Sequence, residues 1–376
     1  MSRSYICTIR LAFALCTITL SRFAIAQENK PLPYYEEEVA ASNPIRSEQA
    51  RELDAYILRQ KADTERLATI FKPDYSSPKA FENSAKKLRQ AFKDSIGYPP
   101  PGTPDPEAPT FTRIGEDLLA TYYRVRISAL PGVHTVGLYL VPKGLKGRAP
   151  LVISMHGGGG SPEVALFHGG ANYHEMVRGG VKRGYVVFAP QHLFRAEGFP
   201  GDVRSKTDDR LRLIGTTITA VEIAKITRAL DVLLKRPEVD SKRVAMIGLS
   251  YGGFYTLVTT ALEPRIKAAV SSCYFGVQEA RYEKDEAGVP SDFRTPNRMT
   301  LLRDPEIVAL ICPRALEIHA GVKDEIIPIE MGRRLAIPAG DYYRKVGKGE
   351  AFRFVEFAGG HEFHDASAWE FLQKHL

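Results

Sequence analysis

The chain has 376 residues, 44% of them hydrophobic and 25% charged, and no low-complexity tract, which excludes a disordered, collagen-like or repetitive protein. Its formal net charge is +7, but the first 26 residues hold three Arg and no acid, so the remainder stands at +4. With acids and bases interspersed along that remainder, the charge gives no basis for nucleic-acid binding.

Residues 1–26 read as a signal peptide. Arg3 and Arg10 form a positive start, "LAFALCTITL" (11–20) is an apolar stretch too short to span a bilayer, and "AIA" (24–26) fits a small-x-small cleavage site. Cleavage would leave Gln27 as the N-terminus, so export is expected, with no stable membrane span afterwards. It also removes Cys7 and Cys16. Cys273 follows one predicted strand and Cys312 precedes the next, which puts them at opposite edges of a parallel sheet, beyond disulfide reach.

Residues 27–97 read as an N-terminal helical extension with helices over 47–71 and 78–95. The second has Ser77 as N-cap and Pro78 at N1, shows Phe81, Ala85, Leu88 and Phe92 on one face, and ends near Gly97. "YPPPGTPDPEAP" (98–109) lies within a stiff Pro-rich linker, 98–110. From 111 to 376 strands alternate with helices. Eight apolar runs are expected as strands: 119–128, 134–142, 150–156, 185–190, 243–248, 266–272, 314–321 and 352–359. The first two are amphipathic and joined by a short turn, hence antiparallel; the others are solid apolar runs, as in a parallel sheet covered on both faces. Helices are expected at 217–235, 251–262, 329–345 and 366–375. The architecture is α/β with a mostly parallel sheet.

"GLSYG" (248–252) sits where the fifth run gives way to a helix, at the carboxyl edge of the sheet, where ligands bind. A nucleophile there needs a sharp turn to hold its hydroxyl clear of the backbone, and the turn leaves no room for side chains at Gly248 and Gly252. Ser250 is the candidate nucleophile. A serine needs a base oriented by an acid. "FAGGHEF" follows the last run and offers His361, with His364 as alternate; "HAGVKDEIIP" follows the seventh and offers Asp324, with Glu325 as alternate. The order Ser, Asp, His is that of an α/β-hydrolase triad. "HGGGG" (156–160) follows the third run. Backbone N–H groups there can hold a developing oxyanion, so Gly158, or Gly159, is expected to donate together with Tyr251, and His156 to anchor the loop. A phosphate loop would require a Lys that is absent from this position.

Together, "HGGGG", "ALDVLLKRPEVDSKRVAMIGLSYGG", "IKAAVSSCYF", "HAGVKDEIIP" and "GGHEF" resemble the α/β-hydrolase superfamily, in particular its dienelactone hydrolase/acetyl xylan esterase-like branch, with some similarity to the prolyl oligopeptidase catalytic domain. The resemblance covers about residues 111–376. It implies an α/β-hydrolase fold, here an eight-stranded mostly parallel sheet with helices on both faces plus the N-terminal extension. It also implies a serine hydrolase without metal or cofactor, with Ser250, Asp324 and His361 as triad. Dienelactone hydrolases proper use Cys as nucleophile, and this chain has Ser. Insertions at 191–216 and 274–312 leave the same sheet edge, and Arg281, Arg294 and Asn297 in the second are candidate contacts to a small-molecule or carbohydrate ester. The expected activity is a short-acyl or carbohydrate ester hydrolase. The alternatives are a serine peptidase of prolyl-oligopeptidase type, whose β-propeller about 80 residues of helix and linker could not form, and a non-catalytic protein of the same fold.

Overall fold

The computed structural model describes residues 34–60, 63–167, 172–193, 201–283 and 291–376. The expected signal peptide lies outside the described residues. Contacts divide the chain into residues 1–54 and 55–376. The described part of the first unit holds a 3-10 turn, Val39–Ser42, and the start of the helix Asn43–Arg59.

Among the described residues the second unit is built on one sheet of nine strands, not the eight expected: β1 (Thr110–Glu116), β2 (Ala120–Leu130), β3 (Val133–Pro142), β4 (Ala149–Met155), β5 (Val186–Pro190), β6 (Val239–Leu249), β7 (Ala268–Ser272), β8 (Ala315–Gly321) and β9 (Phe352–Phe357), in the order β1-β2-β3-β5-β4-β6-β7-β8-β9. The extra strand, β1, is the sheet's outer edge. Its side chains are mostly exposed, so "TFTRIGE" carries no apolar signal, and it is held by antiparallel pairing to β2. β2–β3 and β3–β5 are antiparallel, and every pairing from β5 through β4 to β9 is parallel.

Every residue of β4, β5 and β7 is buried because helices cover both faces. The period of two divides their side chains between two cores. Leu151, Ile153, Val244 and Met246 face one; Val152, Ala245 and Ile247 face the other. Helices Ile218–Leu233, Tyr251–Leu262, Asp304–Ile311 and Ile329–Lys345 fill the first, and helices Met176–Lys182 and Asp365–His375, with Trp369, the second.

The helix expected over 47–71 is two, Asn43–Arg59 and Thr64–Ile70. A new start is made at Asp63, whose carboxylate accepts the Arg66 N–H. The stretch 78–95 is likewise two, Pro78–Ser84 and Lys86–Ile96, with Ser77 capping the first by accepting the Ala80 N–H and Gly97 ending the second in the left-handed region. Phe81, Leu88, Phe92 and Ile96 lie fully within the first core. Each such side chain contributes about 1.5–3 kcal/mol on leaving water, so these helices are an integral layer of the second unit. Among the described residues no helix is long and apolar enough to cross a membrane.

Candidate active site

The carboxyl ends of β4, β6, β7, β8 and β9 converge on one edge. β6 delivers Ser250 at φ 60°, ψ −116°, the residue that caps the helix Tyr251–Leu262. Its N–H donates to the Ser272 carbonyl of β7 at 2.8 Å, which fixes the turn. The flanking glycines are sterically required. A Cβ on Gly248 would stand 2.2 Å from the Gly252 oxygen, and one on Gly252 would stand 2.1 Å from the Met155 oxygen. Tyr251 is the first helical residue, so its N–H has no partner within the helix.

β8 ends at Gly321 and the following turn carries Asp324; β9 ends at Phe357 and the following loop carries His361. His361 Nδ1 and Asp324 Oδ2 are hydrogen-bonded at 2.8 Å, while Asp324 Oδ1 accepts the Ile326 and Ile327 amides, each at 2.9 Å. Burial raises the Asp324 pKa, but the His361 hydrogen bond and charge and these two amides outweigh it, leaving the carboxyl below its ordinary value. The alternates are placed otherwise. His364 stacks on Phe357 at 4.8 Å with its ring edge against His319, and Glu325 is exposed.

The glycine loop after β4 lies against the elbow: a Cβ on Gly157 would be 3.5 Å from Ser250 Cβ. The Gly157 N–H is spent on Tyr173 Oη at 2.8 Å and the Gly160 N–H on the Gly157 carbonyl at 3.1 Å, while the Gly158 and Gly159 amides have no hydrogen-bond partner among the described residues. His156 is buried, with Nδ1 on the Gly157 carbonyl and Nε2 on Gln191. Burial lowers its pKa to about 4 against the opposing pull of the Gly157 carbonyl, so it is a neutral anchor at pH 7.

Several neighbours carried no sequence signal. Tyr173 holds the glycine loop; next to it, His174 pairs with Glu362 at 2.8 Å and the Asn172 carbonyl accepts the Phe363 N–H, so this one turn braces both the glycine loop and the histidine loop. His192 stacks on His156 at 3.9 Å. Cys273 lies beside the acid. Its thiol, the Asp324 carboxylate and the His361 imidazole fall within 4.8 Å of one another, a metal-capable grouping, but burial and the Asp324 charge push the thiol up to about 12 and hold it neutral. Cys273 and Cys312 are both free and buried. Of the candidate substrate contacts, Asn297 accepts a hydrogen bond from Arg66 at 3.2 Å, Arg281 is half-buried in the helix Val277–Glu283, and Arg294 is exposed.

This arrangement accords with the similarity to known proteins. The dienelactone hydrolase family matches residues 146–335, half of the chain. The chain belongs to the dienelactone hydrolase family. It is therefore a hydrolase, and its fold is the α/β-hydrolase fold. It is 29% identical over 254 residues to YtaP of Bacillus subtilis, described as a hydrolase, covering 63% of this chain and 82% of that one. It is 25% identical over 247 residues to the Bacillus subtilis protein YuxL, described as a peptidase, covering 62% of this chain but only 35% of that one. A solved structure from Bacteroides fragilis, described as an acetyl xylan esterase, superposes with a TM-score of 0.65 at 19% identity over 81% of each chain.

Proposed function

We propose that this family member is an exported serine carboxylic-ester hydrolase acting on short-acyl or carbohydrate esters through an acyl-enzyme. The observation that carries the reading is the 2.8 Å His361–Asp324 hydrogen bond at the sheet edge where Ser250 is presented on its strained turn. Ser250 Oγ attacks the acyl carbon while His361 takes its proton, and Asp324 stabilises the imidazolium. The carbonyl electrons move onto oxygen, held by the Tyr251 and Gly158 amides. Collapse breaks the ester C–O bond, and His361 returns the proton to the leaving alcohol. Water, activated by His361, then releases the acid and restores Ser250. Arg281, Arg294 and Asn297 of the second insertion would meet a polar alcohol. Cleavage after Ala26 would export the enzyme, which intact-mass measurement of the secreted chain tests directly.

The test of activity is hydrolysis of p-nitrophenyl acetate and covalent labelling by a fluorophosphonate. Wild type should do both, and Ser250→Ala should lose turnover by roughly 10⁴-fold or more and take no label. Equal labelling of the variant would remove Ser250 from its role. The YuxL similarity keeps a serine peptidase as the second reading; cleavage of a proline-containing peptide in preference to the acetate would establish it.

A further inference from the structure

The two insertions at the carboxyl edge are joined by a buried ion pair. Arg204, in the helix Gly201–Leu213 after β5, gives Nε to Asp292 Oδ1 at 3.0 Å and Nη2 to Asp292 Oδ2; Asp292 lies in the 3-10 turn Ser291–Phe293 after β7. Their side chains are 4% and 0% exposed. Charges so buried require further hydrogen bonds, and the nucleophile's own helix supplies them. Tyr251 Oη donates to Asp292 Oδ1 at 2.5 Å, Tyr255 Oη donates to Asp292 Oδ2, and Tyr255 Oη accepts from Arg204 at 2.8 Å. Thr219, on the neighbouring helix, donates to the Asp292 carbonyl at 2.9 Å.

A column of rings continues from there to the glycine loop. The Arg204 guanidinium lies 5.3 Å from the centre of the Tyr251 ring. His192 stacks on that ring at 5.7 Å and 13°, then on His156 at 3.9 Å and 12°, and its Nε2 donates to the His156 carbonyl at 2.8 Å. The two amides that must meet on one oxygen therefore come from different loops, the Tyr251 amide from after β6 and the Gly158 amide from after β4, and the column packs between their anchors. An oxyanion hole works only when both donors stand about 2.7–3.1 Å from the same point.

We infer that Asp292, clamped by Arg204, is a positioning residue for the oxyanion hole: it holds Tyr251 by its hydroxyl and, through His192, keeps the Tyr251 amide aligned with the glycine loop. This rests on the esterase reading above. It gives the two insertions a role in the chemistry of the site.

Two variants test it. Tyr251→Phe keeps the ring and the amide but loses the bond to Asp292. Arg204→Met with Asp292→Leu removes the acceptor and its charged partner together, so that neither is left as an unpaired buried charge. In each, kcat for p-nitrophenyl acetate should fall about 10- to 100-fold, the scale of a misaligned oxyanion donor, with KM little changed. Ki for an aryl boronic acid, which mimics the tetrahedral state on Ser250, should rise by the same factor. A purely structural role would lower the melting temperature and the active fraction but leave the boronate Ki untouched. If the double variant does not fold, Tyr251→Phe decides alone. Variants that match a working wild type in kcat and boronate Ki overturn the positioning role only. A wild type that neither hydrolyses the ester nor binds the boronate removes the esterase reading and this proposal with it.

Discussion

Ser250 is held at φ 60°, where a residue with a side chain is strained by about 1–3 kcal/mol, and the Ser272 carbonyl helps keep it there. On the proposed reading, His361→Ala should abolish turnover nearly as fully as Ser250→Ala, whereas His364→Ala, which removes the stacking on Phe357 and the edge contact with His319, should leave kcat/KM close to wild type. The reverse result would move the base to His364. Asp324→Asn should be somewhat milder in kcat, because the acid orients and stabilises the base without touching substrate. A second expectation concerns stability. His156 in the fold titrates at about 4, and burial is the main cause. In the unfolded chain it titrates near 6.5. Between these values only the unfolded chain binds the proton, so His156 subtracts stability as the pH falls through that window, by about 1.4 kcal/mol per pH unit. Glu279 has the opposite sign, because burial and Asp304 raise its pKa and its proton stabilises the fold as the pH falls. The contribution of His156 is therefore read as a difference: in urea melts from pH 7 to 4.5, wild type should lose stability relative to His156→Gln. Parallel curves would show that His156 is not held neutral. The triad candidates were legible because each stands in a short local pattern at a strand end. Asp292 and Arg204 were not, because their meaning lies in a contact 88 residues apart in the chain.

At the scale of elements, the glycines of the elbow and of the loop after β4 do different work. Gly252 is packed against the backbone of β4, 2.1 Å from the Met155 oxygen at its would-be Cβ, whereas a Cβ on Gly159 meets nothing within 4 Å. Gly252→Ala must push the start of the helix Tyr251–Leu262 away from β4 and should destabilise by about 1–3 kcal/mol or more, with activity falling as the turn at Ser250 shifts. Gly159→Ala should leave the melting temperature within a degree or so, since an open surface site changes stability by about 0.5 kcal/mol at most. Equal melting curves for wild type and Gly252→Ala would contradict the packing. The elements themselves were readable where both faces of a strand are buried, as in β4 to β8, since a solid apolar run needs no context. β1 was not, because an exposed edge strand is specified by its partner's hydrogen bonds and its own "TFTRIGE" carries no pattern. The breaks at Asp63 and Ala85 were missed for a related reason: the apolar spacing runs across them, and only the cap at Asp63 and the turn at Ala85 record the interruption.

At the scale of the whole molecule, what surrounds the site bears on which esters it takes. A long acyl chain needs an apolar trough beside Ser250, and the insertions are its natural walls. Of the aromatics they carry, Phe293 is turned into the core against Phe254 at 4.5 Å and Tyr251 at 5.0 Å, and Tyr282 gives its hydroxyl to the Ile57 carbonyl; Phe194 and Phe199 lie outside the described residues. The apolar cavity of about 480 Å³ between Leu193, Leu211, Ile214, Ile218 and Val221 is walled on another side by Pro100, Pro101 and Pro131, and no triad residue lines it. The exposed face of the helix Gly201–Leu213 is charged, with Lys206, Asp209 and Arg210, and burying a hydrocarbon chain against it would desolvate those groups without return. We therefore expect kcat/KM to fall steadily as the acyl group of a p-nitrophenyl ester lengthens from acetyl through butyryl to octanoyl. Each methylene is worth about 1–3 kcal/mol of discrimination at most, so the decline should be graded. Esters of polar alcohols should outperform triglycerides in the same assay. A preference that rises toward octanoyl would overturn this reading of the insertions and make the Leu193–Val221 cavity the apolar space to test. Val221→Trp, which narrows that cavity, should blunt the rise if the acyl chain lies there, while leaving acetate hydrolysis intact.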